Sequence, residues 1–366
     1  MPFRVETVIL APGTEQYGGA AQDPLGIDAI VGAAKRAEEA GFDGVTVPEG
    51  GHDPFLPLVL AAEHTTRVRL GTNVAIAFPR SPMVTAQLAW DLQRLSGGRF
   101  VLGLGTQSRA HVERRYAAEW KEPAGPRLRD YVGCLRAMFE SFQRGGRPQR
   151  FESDHYRFDL LPAFSNPGPI AHPHVPIHLG AVNVFGARLV GELLDGIRVH
   201  PIATFRYVRE VLVPSIQEGA ARGGRSRSEV EIVAAPFLVT APDEAGLAAA
   251  KAAARQHVAF YAINPGFHAV LDHHGWGGLA SELAPLLSAG RLGDLGSVIS
   301  DAMLDEWAVV ATWDRLAAAI EARCAGTFDT VLLDLPPDLA SDALRRAALV
   351  RALRGADAGH VSHAPS

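Results

Sequence analysis

The chain has 366 residues, 47% apolar and 20% charged, with a formal net charge of −5. This composition supports a large buried core and excludes a disordered chain. No basic block supplies an electrostatic footprint for DNA or RNA, because Arg114–Arg115 and the GGRPQR stretch at 145–150 are local and read as solvated surface.

No run reaches the roughly 18 apolar residues of a membrane span. Arg4 and Glu6 interrupt the first apolar run, unlike a secretory leader. The chain therefore reads as soluble and cytoplasmic, acting on a small molecule, with neither nucleic acid nor membrane as partner. Cys134 and Cys324 sit in apolar helical patterns and read as buried free thiols.

RVETVILAP opens the chain as a strand. After Asp23–Pro24, IDAIVGAAKRAEEAGF has the spacing of an amphipathic helix with Gly41 as its stop. DGVTVPE is a second strand and PFLPLVLAAEHTT a helix with proline near its start. VRLGTNVAIAF is a third strand, and SPMVTAQLAWDLQRLSGGR a helix with Ser-Pro in front and glycines behind. RFVLGLG is the fourth strand.

The second half repeats the alternation less regularly. RLRDYVGCLRAMFESF is a helix, followed by a polar, proline-rich stretch to about Pro176. Then come PIHLG, the helix NVFGARLVGELL, DGIRVHP, the helix FRYVREVLVPSIQEGAA, VEIVAAPFLVT, the helix DEAGLAAAKAAARQHVAFY, FDTVLLDLP and the helix LASDALRRAALVRALR. Eight short apolar strands, each beside a helix, predict a parallel sheet covered by helices. Closure into a single α/β domain over 1–366, a (β/α)8 TIM barrel, leaves no edge to protect. Residues 105–126 and 262–300 depart from the repeat and are expected as insertion segments on the C-terminal rim, the second as a lid. Helical packing extensions or a subunit contact are the alternative for both.

FVLGLGTQ at 100–107 raises the question of a dinucleotide loop. The fingerprint needs G-x-G-x-x-G at the start of a helix, and Ser108 stands where the third glycine belongs. A phosphate loop of the G-K-[ST] type is also absent. By themselves these glycines read as a tight strand exit, or as a place where backbone lies flat against a ring. His268, Asp272, His273 and His274 invite a metal reading. The adjacent histidines diverge on any regular backbone, so they read as lid or pocket residues and no metal is expected. Trp276 either stacks on a substrate or anchors the lid.

EEAGFDGVTVPE (38–49), RLGTNVA (69–75), PMVTAQLAWDLQRLSGGRFVLGLGTQ (82–107), PIHLGAVN (176–183) and GELLDGIRVHP (191–201) together resemble the luciferase-like family of flavin- and deazaflavin-dependent barrel enzymes. The branch resembled is that of F420-dependent oxidoreductases. The resemblance implies hydride transfer between C5 of coenzyme F420 and a small organic substrate, with an FMN-dependent monooxygenase as the alternative. It also implies a lidded barrel, a homodimer, and a cis peptide joining Asn73 to Val74, with Val74 as a backstop behind the cofactor ring.

F420 enzymes of this kind carry Asp-His at the exit of the second strand. This chain has Glu49-Gly50 there, with His52 the nearest imidazole, so Glu49 and His52 are the catalytic candidates. Glu49, Asn73, Val74, Gly105, Thr106 and His111 are the expected cofactor contacts at the second to fourth exits. Gly180, Ala181, Val182 and Asn183, between a strand and a helix N-terminus, suit the cofactor phosphate, with His200 and Pro201 completing the pocket. Sugar-phosphate dehydrogenases of the branch carry a second glutamate near the position of Ser108, so that substrate is not expected here.

Overall fold

Strands covered on both sides by helices need apolar residues on both faces, and the short runs above pair in that way. A computed structural model describes residues 3–9 and 26–355. Its strands are β1 (Arg4–Val8), β2 (Gly44–Val47), β3 (Arg69–Thr72), β4 (Phe100–Gly105), β5 (Ile177–Ala181), β6 (Gly196–Val199), β7 (Glu231–Ala234) and β8 (Thr330–Leu333). Each pairs in parallel with the next, and β8 pairs with β1, which closes the barrel. The expected (β/α)8 barrel is therefore the fold. The approach to the first helix at Asp23–Pro24, and the end of the first strand run beyond Ile9, lie outside the described residues.

Local chemistry explains the helix limits. Pro82–Leu95 starts at Ser81, whose hydroxyl accepts the Val84 N–H at 3.3 Å, and Pro82 takes the first helical position. Gly97 and Gly98 follow its end with φ of 64° and 90°. Gly41, at φ 89°, closes Ile27–Glu39 in the same left-handed manner. No helix among the described residues is long and apolar enough to cross a membrane.

Side-chain alternation sends the few strand charges into the barrel. Arg198 donates from Nη1 to Glu6 Oε2 at 3.0 Å, and Arg69 meets Glu231 through both Nη atoms at 3.0 Å. Glu6 and Arg198 are almost inaccessible, so each charge depends on its partner. Thr330 donates its hydroxyl to Glu231 in the same interior layer.

The predicted third strand, VRLGTNVAIAF, stops at Thr72 and resumes only as Ala75–Ile76, and one further predicted strand needs correction. VEIVAAPFLVT breaks at Pro236, which has no N–H to donate to a ladder. The barrel keeps Glu231–Ala234, while Phe237–Ala241 leaves it and pairs in parallel with Ala308–Thr312. Between these two strands lie the helices Glu244–Ala262, His268–His273, Leu279–Ser288 and Asp301–Trp307. They share an apolar cluster of their own, including Phe237, Val258, Leu271, Leu283 and Trp307. The segment after β4 contributes a short helix, Arg109–Arg114, before the long helix Ala124–Arg144.

Candidate active site at the barrel rim

Glu49 leaves β2 at the rim with a side chain only 4% exposed. Its Oε2 accepts the Ile76 N–H at 2.7 Å and Arg80 Nη1 at 2.6 Å, and its Oε1 accepts the Tyr116 hydroxyl at 2.8 Å. Arg80 also donates to Asp53 Oδ2 at 2.9 Å, and Asp53 Oδ1 takes the Phe55 N–H that opens the next helix. Arg115 donates to the Gly50 carbonyl. The carboxylate thus ties three pieces of chain together: the β2 exit, the β3 exit and the segment after β4. Burial, then the bond to Glu49, pushes the Tyr116 hydroxyl up to about 12, so it remains a donor at neutral pH. His52 is half-buried on the same loop.

The peptide between Asn73 and Val74 is cis. Just beyond it, Ala75–Ile76 pairs with Leu104 and Gly105 of β4. A Cβ on Gly105 would lie 2.7 Å from Val74 Cγ2, and one on Gly180 would lie 3.2 Å from Val74 Cγ1. Val74 is therefore seated against two glycine positions on neighbouring strands. Gly103 has a different reason, since a Cβ there would meet the Thr72 carbonyl oxygen at 2.0 Å. Its own carbonyl accepts the Thr72 hydroxyl at 2.7 Å. The glycines of FVLGLG are places where β3 and its continuation come unusually close.

Thr106 is half-buried beside Gly105, and Gln107 takes a φ of 61° as the chain turns. Ser108 is exposed at the start of Arg109–Arg114. His111 is exposed on that helix, and its carbonyl accepts the N–H groups of Arg115 and Tyr116 at 3.0 Å.

At the β5 exit, Asn183 caps the helix Val184–Leu193, with its side-chain oxygen accepting the Gly186 N–H at 2.8 Å. A Cβ on Gly186 would come within 2.8 Å of Ala181 Cβ, so this helix start is pressed onto the strand end. Ala181 is buried, while Gly180 and Val182 are half-buried. His200, beyond β6, accepts the Ile202 N–H on Nδ1 at 3.2 Å and lies 4.7 Å from the Phe267 ring and 5.2 Å from Tyr261. Burial pushes its imidazole down to about 4, which leaves it neutral with the proton on Nε2.

The other histidines have separate partners. His273 Nε2 is 2.8 Å from Glu210, whereas His274 lies between Thr204 Oγ1 at 2.7 Å and Arg206 Nη2 at 2.5 Å. Trp276 stacks on His274 at 4.2 Å and meets Trp307 at 4.8 Å, and Trp307 donates to the Ile202 carbonyl at 2.6 Å. This aromatic chain fastens the excursion to the loop after β6. Among the described residues, no group of three or more His, Cys, Asp and Glu side chains is placed to hold a metal ion.

Sequence patterns do not single out Arg80, Asp53 or Tyr116, and Arg115, expected as solvated surface, is exposed but reaches the Gly50 carbonyl. The signal available was Arg80 in FPRSP, a cation immediately after the third strand's apolar run. A cavity of about 540 Å³ opens at the opposite end of the barrel, lined by Arg69, Arg99, His178, Asp195 and Glu231 among others. These residues belong to strand starts, whereas barrel chemistry is carried by the loops at strand ends, so the rim is the candidate site.

A profile of the luciferase-like monooxygenases matches residues 5–330. The chain belongs to that family. Among luciferase-like relatives, a Mycobacterium tuberculosis protein described only as uncharacterized is 43% identical over 82% of this chain and 88% of its own. A second M. tuberculosis protein, whose name assigns it provisionally to the coenzyme F420-dependent oxidoreductases, is 32% identical over 86% of this chain and 94% of its own. The solved F420-dependent tetrahydromethanopterin reductase of Methanopyrus kandleri has the same fold, with a TM-score of 0.73, 20% identity, and coverage of 96% of this chain and 98% of that one. This luciferase-like chain is accordingly an enzyme of the oxidoreductase class.

Proposed function

We propose that the chain is an F420-dependent oxidoreductase that transfers a hydride between deazaflavin C5 and a small organic substrate. The observation that carries this reading is the seat of Val74 against Gly105 and Gly180. It presents a bulky side chain and Cβ-free backbone at three adjacent strand exits, a surface that fits a flat ring. When bound, F420 supplies two-electron hydride chemistry.

Residues of the chain would then bind and orient. Glu49 holds the Ile76 N–H and so fixes the chain on which Val74 sits, while Tyr116 and Arg80 keep Glu49 in place. Backbone N–H groups at the start of Val184–Leu193 suit the cofactor phosphate, with Gly180 and Ala181 ending β5 and Val182 and Asn183 forming the turn. His200 keeps an Nε2–H to donate, and His52 and Thr106 line the near side. The excursion containing 262–300 serves as the lid, since Phe267 already packs on His200. A cytoplasmic homodimer completes the reading.

Titration of the purified protein with F420 and with FMN, followed by fluorescence, tests it. F420 should bind measurably, and turnover of a carbonyl or alcohol substrate should need no oxygen. Tight FMN binding without F420 binding, and oxygen uptake with substrate, would assign the chain to the FMN-dependent monooxygenases instead.

A further inference from the structure

Hydride transfer to or from a carbonyl also moves a proton, and neither Glu49 nor His200 is well suited to carry it. Glu49 already accepts three hydrogen bonds, which engage both of its oxygens in holding the rim together. His200 is neutral, with Nδ1 occupied by the Ile202 N–H, so it donates a hydrogen bond more readily than a proton.

Asp334 stands at the exit of β8. Thr330 directs its hydroxyl to Glu231 inside the barrel, strand alternation puts Leu332 on that same face, and Asp334 follows one residue past the strand end at Leu333. Continuing that register by one residue aims Asp334 at the barrel mouth. The strand end is held in place, because the Thr7 hydroxyl donates to the Leu333 carbonyl at 3.0 Å, and Pro336 and Pro337 then lead into the helix Pro337–Ser341. Asp334 is half-buried and has no hydrogen-bond or ion-pair partner among the described residues. A half-buried carboxyl without a partner is costly in a structural role and useful in a site.

We propose that Asp334 exchanges the proton that accompanies hydride transfer, an inference that rests on the F420 reading above. In the reductive direction the carbonyl carbon gains a hydride from the reduced deazaflavin. The C=O π electrons move to oxygen, and that oxygen takes the Asp334 carboxyl proton. The carboxylate left behind is reprotonated by solvent, and alcohol oxidation runs the same steps in reverse. Burial raises the Asp334 carboxyl above its ordinary value, a shift in the direction this role requires.

The test uses the full-length protein with Asp334→Asn and Asp334→Glu. Carboxyl-labelled NMR, with the resonance assigned by its loss in Asp334→Asn, should show Asp334 titrating above the ordinary value of about 3.9. The resonance should shift when F420 is added, while Asp334→Asn keeps F420 affinity within about threefold of the parent. With a substrate from a carbonyl and alcohol panel, Asp334→Asn should lower kcat by about 10²–10⁴-fold with little change in KM, and Asp334→Glu should restore part of it. An Asp334 that titrates at or below the ordinary value overturns the proposal, as does a resonance that ignores F420 which demonstrably binds. If F420 does not bind, but Asp334 titrates high and responds to FMN, the cofactor reading fails and takes the hydride-coupled role of Asp334 with it.

Discussion

A methyl group on Gly105 would sit 2.7 Å from Val74 Cγ2, closer than packed carbons come. Gly105→Ala should therefore cost about 1–3 kcal/mol by overpacking and weaken cofactor binding. Removing the obstructing methyls with Val74→Ala should recover most of the stability in the double variant. Urea melts of the two single variants and the double variant measure this coupling, and strictly additive losses would show that the two residues do not share a seat. The sequence pattern identified FVLGLGTQ as something other than a dinucleotide loop, because Ser108 breaks the fingerprint. It did not reveal what the glycines accommodate, since Val74 lies in the break that follows β3. Glu49 shows the same division: its rim position was legible, whereas Arg80 and Tyr116 became its partners only through folding.

At the scale of elements, the helices and barrel strands were legible because their periodicity is local. Ala308–Thr312 was not, because AVVAT is a short apolar run that follows the helix Asp301–Trp307 directly, and its strand partner is the distant Phe237–Ala241. Trp307 joins this excursion to the barrel through its buried ring and its bond to the Ile202 carbonyl. Trp307→Ala should cost about 3–5 kcal/mol, as expected for loss of a large buried aromatic side chain. Because residues from 237 to 308 share their own apolar cluster, the loss should be regional. Hydrogen exchange is expected to rise there while β1 to β6 stay protected. A uniform rise across the barrel would contradict this partition.

For the whole molecule, acid is the revealing stress. Burial, reinforced by Arg198, pushes the His178 imidazole down to about 3. Burial alone lowers His200 to about 4, and burial with Arg206 lowers His274 to about 4. An unfolded histidine titrates near about 6.5, so below that pH the unfolded chain binds protons that the folded chain refuses. The stabilising contribution of all three is present above about 6.5 and is lost as pH falls towards 4 and 3. Arg69 holds the Glu231 carboxyl below its usual range although burial opposes this, which adds to the loss under stronger acid. Thermal melts should show a plateau above about pH 7 and a steep fall below pH 6, less steep in His178→Asn. A flat profile from pH 8 to 4.5 would mean that these imidazoles are not held neutral by the fold.

The sequence by itself determined the alternation of strands and helices, the closed barrel and the rim as the place for chemistry. Those features follow from periodicities of two and 3.6 residues and from the cost of open sheet edges, all readable within a short window. Only the tertiary structure decided which side chains meet. Barrel register turns Glu6, Arg69, Arg198 and Glu231 inward as ion pairs, and closure brings Val74 to Gly105 and Gly180. The same closure places Glu49 under Tyr116 and half-buries Asp334 at the mouth, with no partner among the described residues. These contacts join residues far apart in the chain, and no local pattern encodes the register that unites them.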